Sequence, residues 1–196
     1  MLEINFQDNY TNKLQQDYNY LVHKYRIVKN VFDKAEFFKH RPDNFPTIRL
    51  SQLAALYHKE HNLFSKIMSC STISEIYDLF KVEVSNYWET HYNFDKESSK
   101  KMKRLSKSFV DLLVINTIIP LRFAYEQSLQ KESSQEIIDL IEAIQPEKNI
   151  VINKFSAIGV VAKNAFETQS LLQLKKEYCE AKKCLQCAVG VHLLKN

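Results

Sequence analysis

The fold class is decided by residues 106–120, SKSFVDLLVINTIIP, which hold the most apolar stretch of the chain. Residues 109–119 are hydrophobic nearly all round a helical projection, so they predict a central, buried helix. Ser106 or Ser108 is a suitable N-cap for that helix. Pro120 either kinks the helix or lies in the first turn of a second one, because proline lacks the amide hydrogen that a helix interior needs.

The dominant hydrophobic period on both sides of this stretch is also helical. An amphipathic helix of about 18 residues is indicated near the N-terminus by Leu14, Tyr18, Leu21, Val22, Tyr25 and Val28. Residues 72–75 and 133–136 have the sequence of capping boxes. Residues 41–47 contain two prolines and read as a loop, after which Thr47 is the natural N-cap of the next helix.

No convincing alternation of apolar and polar residues, no repeat and no flexible linker is visible. We therefore predict an all-α protein whose residues 1–196 form one multi-helix domain of about eight or nine helices. A cysteine turn and a short terminal helix close the chain, and they make a C-terminal module that begins near residue 175.

Composition excludes several classes of function. The chain has 196 residues, of which 45% are hydrophobic and 26% charged, as in ordinary globular proteins. Its only glycines are Gly159 and Gly190, so neither the dinucleotide-binding nor the P-loop glycine motif can be written. No acid–base pair, Ser/His/Asp set or nucleophile elbow can be assigned. We do not expect this chain to be an enzyme by itself.

The sequence also carries an expectation about location. The N-terminus has neither the basic region nor the apolar stretch of a signal peptide. The longest apolar run is broken by Asn116 and Thr117, which makes it look too short to span a bilayer. We therefore expect a cytoplasmic protein without membrane contact.

The positive charge is mild and locally clustered. The formal net charge is +4, which permits contact with nucleic acid without requiring it. One basic run contains Lys100, Lys101, Lys103, Arg104 and Lys107, and the other contains Lys175, Lys176, Lys182 and Lys183. The simplest interpretation of both runs is a solvated helix face.

The strongest chemical motif is Cys179-x4-Cys184-x2-Cys187. Cysteines at C-x4-C-x2-C spacing occur in iron–sulfur proteins, and C-x2-C pairs also build zinc sites. Either group takes four ligands. The fourth has four candidates: His192, Cys70, His58 and His61. The motif predicts a zinc or iron–sulfur site, but buried unligated cysteines and a reversible Cys184/Cys187 redox pair remain open alternatives.

A second motif is the stiffened loop that carries Arg41, Asn44 and Arg49 into a helix N-terminus. Two guanidinium groups near such a terminus predict an anion- or phosphate-binding site. The alternative is structural, with the arginines satisfying loop carbonyls or pairing with Glu36 or Asp43. The aromatic residues around Trp88 are expected in the core, with His91 hydrogen-bonded beside it.

Four segments together resemble one protein family. They are RPDNFPTIRLSQLA (41–54), YWETHYNF (87–94), INTIIP (115–120) and QSLLQLKKEYCEAKKCLQCAVG (169–190). The combination resembles the C-terminal half of an uncharacterised bacterial family of Bacteroidota type, domain of unknown function 2851. The resemblance runs from about Asp8 to Asn196.

The resemblance implies a partner but no mechanism, because the family has no established activity. Its members are usually about twice as long, and their N-terminal half resembles restriction-endonuclease-like nucleases. No segment of this chain matches that half, so the resemblance implies a truncated, split or engineered fragment. The three clustered cysteines belong to the family pattern and Cys70 does not, which suggests a fourth ligand in the missing half.

Two functional hypotheses follow. The favoured one is a binding and scaffolding role as the helical accessory half of a nuclease-like DNA-processing protein, with the cysteines holding a structural metal or iron–sulfur cluster. Its expected partners are nucleic acid and a nuclease-like N-terminal half that is supplied in trans or lost. The alternative is a metal-free helical protein-interaction module with no role in nucleic-acid binding.

Overall fold

The computed structural model describes residues 8–28, 40–94, 96–131 and 135–195. Within these ranges the chain is helical apart from one small two-stranded sheet, which confirms the all-α prediction. The α-helices are α1 (Asn9–Tyr25), α2 (Pro46–Lys59), α3 (Leu63–Ser69), α4 (Ile73–Leu79), α5 (Asn86–Glu89), α6 (Lys107–Leu113), α7 (Ile119–Ser128), α8 (Gln135–Glu142), α9 (Ile150–Ala157), α10 (Ala165–Gln173) and α11 (Ala188–Lys195). The strands are β1 (His91–Asn93) and β2 (Lys96–Glu97), the 3₁₀ turns are Pro42–Asn44 and Cys184–Gln186, and the π-helical turns are Val114–Ile118 and Leu174–Glu180.

The described residues fall into two units. The first unit comprises those in the ranges 1–63 and 79–105, and the second those in the ranges 64–78 and 106–196. The first unit therefore holds α1, α2, α5 and the sheet, and the second holds nearly all of α3 and α4 together with α6 to α11. The single domain expected from the sequence stays a prediction.

Helix α2 starts two residues earlier than its sequence suggests. Its N-cap is Phe45, and Pro46 occupies the first turn, where a missing amide hydrogen costs nothing. The prediction of Thr47 as the N-cap is therefore wrong. The Thr47 hydroxyl instead donates to the carbonyl oxygen of Tyr92 at 2.5 Å and ties α2 to β1.

An aromatic cluster forms the centre of the first unit. Trp88 is 4% exposed, and its indole nitrogen donates to the Tyr10 hydroxyl at 3.1 Å. Tyr87 stacks on Tyr10 on one side and on His91 on the other, with centroid distances of 4.2 and 4.0 Å. His91 is buried and its Nδ1 lies 2.9 Å from the carbonyl oxygen of Tyr87. These contacts confirm Trp88 as a core residue with a hydrogen-bonded histidine beside it.

The small sheet was not expected from the sequence. β1 and β2 pair antiparallel, with His91 opposite Glu97 and Asn93 opposite Lys96. Two strands of three and two residues are too short to show a period-two pattern.

The second unit is organised around a continuous helical segment, residues 107–128. The Ser106 hydroxyl accepts from the amide of Phe109 and so caps the start of this segment. Of the two predicted candidates, Ser106 is therefore the N-cap. A π-helical turn precedes Pro120, whose ring cannot fit a regular helix interior. Val114 and Ile118 are almost fully buried, whereas Leu112 is 46% exposed. The helix is thus buried on one side only.

This segment corrects one expectation from the sequence. At 22 residues it is long and apolar enough to cross a membrane by length and composition, and it alone passes that test among the described residues. Asn116 does not break it, since its amide donates to the carbonyl oxygen of Leu112 at 2.9 Å. The argument that the apolar run is too short is therefore wrong. A single such helix is weak evidence for a membrane, because the core helix of a soluble protein passes the same test.

A buried arginine joins three parts of the second unit. Arg122 on α7 is 3% exposed. One guanidinium nitrogen donates to the carbonyl oxygen of Cys70, and another lies 3.3 Å from a carboxylate oxygen of Glu136 on α8. A buried guanidinium is tolerated only when its donors are paired in this way.

Helices α8 and α10 complete the core of the second unit. Leu140 and Ile144 are 1% and 2% exposed, and they face α10, where Ala165 and Thr168 have no exposed surface. The amide of Ala165 donates to the carbonyl oxygen of Ile144 at 2.9 Å. Ala165 has no exposed surface, so a larger side chain at this position would have to displace packed neighbours.

Candidate functional site

The C-terminal turn is built by backbone hydrogen bonds. The π-helical turn that contains Cys179 ends at a reversal where the amide of Lys183 donates to the carbonyl oxygen of Tyr178 at 2.9 Å. The chain then enters the 3₁₀ turn of residues 184–186. The carbonyl oxygen of Cys187 accepts from the amide of Val191 at 2.8 Å, in the first turn of α11. The turn and helix are thus a single hydrogen-bonded unit.

The three clustered cysteines have different environments. Cys179 and Cys184 are exposed, whereas Cys187 is 8% exposed, and all three are free thiols. Across the described parts of the chain, no three His, Cys, Asp or Glu side chains gather so that they could hold a metal ion. The structure thus does not bring the three thiols together as a ligand set, and the metal site stays a prediction.

The proposed fourth ligands are no better placed. Cys70 is buried, its thiol donates to the carbonyl oxygen of Lys66 at 3.2 Å, and burial raises its pKa. A raised pKa disfavours the thiolate that metals bind. His192 is exposed on α11, and His58 and His61 are exposed near the end of α2.

Gly190 explains how α11 is held. A Cβ atom at this position would lie 2.3 Å from the carbonyl oxygen of Cys184. Only glycine allows α11 to pack this closely on the 3₁₀ turn. The sequence interpretation assigned no role to Gly190, although one of only two glycines in a chain is a usable signal of close backbone approach.

This packing displays an apolar surface with a basic border, the C-terminal surface. It is formed by Leu185, Val189, Leu193 and Leu194, which are 79%, 55%, 70% and 67% exposed, and by Lys182 and Lys183. Residues 181–196 contain three lysines and no acidic residue. Among the described residues, neither Lys182 nor Lys183 takes part in an ion pair.

The predicted phosphate-binding loop uses its polar groups internally. Arg49 donates from one nitrogen to Asn44 at 2.5 Å and from another to Gln52 at 2.9 Å. Partial burial lowers the pKa of Arg49. The structure therefore brings Asn44 and Arg49 together as partners, while Arg41 is exposed before the 3₁₀ turn. A phosphate would have to displace these bonds, and the site stays a prediction; Glu36 lies outside the described residues.

Asp43 in the same loop supplies a test of pH dependence. Lys101 donates to its carboxylate at 2.6 Å and Tyr92 at 3.2 Å, and these bonds lower the pKa of Asp43. A carboxyl whose pKa falls on folding stabilises the fold above its unfolded pKa and loses that contribution as the pH drops through the folded value.

Replacing Asp43 with Asn should therefore make unfolding less sensitive to acid. Between about pH 6 and pH 3, the wild-type free energy of unfolding should fall further than that of Asp43→Asn. The difference should stay below about 1 kcal/mol because the pair is half exposed. Urea unfolding across this pH range measures the free energy of unfolding, and Lys101→Met should show the same reduced sensitivity to acid as Asp43→Asn. Identical pH profiles for all three proteins would refute it.

Most of the first basic run does not lie on a helix, and within it only Lys107 belongs to α6. Residues 100–105 are non-helical, and their cations are paired: Lys100 with Glu89 at 3.1 Å, Lys101 with Asp43, and Arg104 with Glu83. Lys103 is 4% exposed, and its ammonium donates to the carbonyl oxygen of Glu89 and lies 4.2 Å from the Tyr92 ring centre. The prediction of a helix face is therefore wrong for residues 100–104, where three cations pair with carboxylates of other segments and Lys103 is buried.

Comparison with known proteins yields one match. A family model described as "Protein of unknown function (DUF2851)" matches residues 1–150. The C-terminal turn lies beyond this match, which is narrower than the resemblance seen in the motifs. No curated protein and no solved structure matches the chain.

Proposed function

Since the chain belongs to DUF2851, a family of unknown function, we propose a role from its own surface: it is a non-catalytic, metal-free helical module that binds an acidic, amphipathic segment of another protein. The C-terminal surface is the docking site. The observation that carries the proposal is the exposure of four aliphatic side chains: Leu185 on the 3₁₀ turn, and three on α11, the helix whose position is held by the Gly190 contact.

The apolar part of the surface provides the driving force. Leu185 and Leu193 leave most of their side chains in water, and Val189 lies one helical turn before Leu193. Burying a Leu or Val side chain that is largely exposed is worth roughly 1–2 kcal/mol. Because α11 is already ordered, a partner would not have to supply the entropy of folding it.

The charge around the surface selects the partner. Lys182 and Lys183 come shortly before Leu185 in the chain and Lys195 directly follows Leu194, in a stretch (181–195) that contains no acidic residue. Acidic residues beside an apolar helix face would complement both features. A bilayer is a poorer fit, since α11 has only eight residues and carries no aromatic anchor.

The cysteines are packing and surface residues in this proposal. Cys187 is buried at the base of α11, and the backbone carbonyl of Cys184 receives the close approach of Gly190. Both roles concern packing and backbone geometry rather than thiolate chemistry.

DNA contact is the second candidate function. Arg41, Lys182 and Lys183 are exposed cations, and such groups can contact phosphate. This candidate corresponds to the accessory half of a nuclease-like protein, with nucleic acid and a nuclease-like half as partners. It is weaker because Arg49 and the cations of residues 100–104 already have partners within the chain.

The test is a binding panel with the full chain. The probes are a helical peptide with leucines on one face and glutamates on the other, a 20-base-pair DNA duplex, and anionic phospholipid vesicles. We expect the peptide to bind in a salt-dependent way. Leu193→Asp should weaken peptide binding at least about tenfold, because it places a charge in the apolar surface. Lys182→Gln with Lys183→Gln should weaken it about fivefold.

The matched control is Ile158→Asp, which changes another aliphatic residue that is 74% exposed. It should bind the peptide like the wild type. Peptide binding that Leu193→Asp leaves unchanged, binding to DNA or vesicles alone, or no binding to any probe would each contradict the proposal. Salt-dependent DNA binding that is lost on Arg41→Ala with Arg49→Ala would favour the second candidate.

A further inference from the structure

Helix α1 is attached to the first unit chiefly near its start. Asp8 caps it by accepting from the amide of Thr11 at 2.7 Å, and Tyr10 stacks on Tyr87. Thr11 is the one buried residue among the 17 of this helix. The following turns carry their apolar side chains without comparable cover.

These side chains form a regular stripe, the α1 seam, made of Leu14, Tyr18, Leu21 and Tyr25. The spacings of four, three and four residues are those of the a and d positions in a coiled coil. The four side chains are 47%, 40%, 43% and 62% exposed. A groove of about 430 Å³ that includes Phe94 in its lining runs along the first three of them. The occupant that such a seam fits is another helix.

The charges beside the α1 seam identify the helix that packs against it. Asp17 precedes Tyr18 and Lys24 precedes Tyr25, so both occupy the g position of the repeat, on the same flank. In an antiparallel pair of identical helices, g positions face g positions. With Tyr18 opposite Leu21 of the second copy, Asp17 comes next to Lys24 of the second copy, and the pairing occurs twice by symmetry.

We propose that α1 pairs antiparallel with α1 of a second copy of this chain. The seam is self-complementary, as a two-fold interface requires: its tyrosines oppose leucines, and its acid opposes its base. A parallel pair would instead set Asp17 beside Val22, which offers no charge. This proposal is independent of the C-terminal surface.

The expected dimer is weak. The 17 residues of α1 span about 25 Å, and the seam covers fewer than two full heptads. The area that such a contact buries lies at the low end of specific interfaces, below about 1,200 Å² in total. Dissociation should therefore occur at micromolar concentrations or above.

The test is sedimentation equilibrium of the full chain over a concentration series, in a reducing agent so that Cys179 and Cys184 cannot form intermolecular disulfides. We expect a monomer–dimer equilibrium. Leu21→Asp should weaken dimerisation at least about thirtyfold, because two charges would enter the seam. The matched control Leu50→Asp, at another exposed leucine of the first unit, should dimerise like the wild type.

A charge exchange keeps the test decisive even if Leu21→Asp disturbs α1. Asp17→Lys and Lys24→Asp should each weaken the dimer about fivefold, since each turns two attractive pairs into repulsive ones. The double variant should recover wild-type affinity. A monomer at all concentrations, or charge variants that leave the affinity unchanged or are not rescued in combination, would overturn the proposal.

Discussion

Replacing Arg122 with Ala is expected to destabilise the second unit by about 3 kcal/mol. The change leaves the buried carbonyl oxygen of Cys70 without its donor and removes a side chain that is 3% exposed. An unsatisfied buried acceptor costs about 1–3 kcal/mol, and the cavity left by the aliphatic stem adds to it. Urea unfolding followed by circular dichroism measures the loss, since the single tryptophan, Trp88, lies in the other unit.

Glu136→Gln is the control for this prediction. The Glu136 side chain is 59% exposed, so losing its charge should change stability by less than about 0.5 kcal/mol. The stability of Arg122→Lys should lie between those of Arg122→Ala and Glu136→Gln, because an ammonium group does not reproduce the guanidinium geometry. An Arg122→Ala protein as stable as Glu136→Gln would show that Arg122 does not hold the unit together.

The second large effect is expected at Gly190. In Gly190→Ala the new methyl group cannot coexist with the carbonyl oxygen of Cys184, so α11 must move off the 3₁₀ turn. Hydrogen exchange in α11 should become at least about tenfold faster, since a detached helix of eight residues is not stable by itself. Binding of the acidic peptide should weaken by a similar factor.

Gly159→Ala is the matched control. Gly159 has a φ of +86°, and a Cβ atom added there would have no neighbouring atom within 4 Å, so alanine is strained at this position but meets nothing. The substitution should cost about 1 kcal/mol of stability and leave exchange in α11 unchanged. Wild-type exchange in Gly190→Ala would mean that close packing does not hold α11.

Local features were predictable from the sequence because their partners are neighbours. The capping box at residues 72–75 is present: the amides of Ser71 and Thr72 donate to Glu75, and the amide of Glu75 donates to the Thr72 hydroxyl. The Ser106 cap is equally local. The second predicted capping box lies partly outside the described residues.

Features that depend on distant segments were not predictable. Arg122 and Lys103 look like surface cations in the sequence, yet both are buried. The carbonyl oxygen that accepts from Arg122 belongs to Cys70, which is 52 residues away in the sequence. No local sequence pattern reveals that contact. The π-helical turn before Pro120 and the two short strands likewise depend on context.

The sequence indicates a site in the C-terminal turn because of the cysteine spacing, whereas the structure indicates one because of the exposed apolar side chains. The spacing of Cys179, Cys184 and Cys187 is compatible with metal ligation, but spacing does not say which thiols are buried. Cys187 is buried while the other two are exposed, and Gly190 determines the position of the following helix. The apolar C-terminal surface could not be anticipated, since its leucines look like core residues until the packing is known.

We propose that packing, rather than a bound metal, holds the C-terminal turn and so displays α11. The most direct measurement is elemental analysis of the full chain purified anaerobically without a tag, combined with thermal unfolding with and without a chelator. Cys184→Ser and Cys187→Ser are measured in parallel.

We expect neither zinc nor iron in stoichiometric amount and no effect of the chelator on thermal unfolding. Cys184→Ser should cost less than about 0.5 kcal/mol and Cys187→Ser about 1–2 kcal/mol, because only Cys187 is buried. About one zinc per chain, or iron with labile sulfide, would show that a metal holds the turn if its removal and both substitutions each cost several kcal/mol.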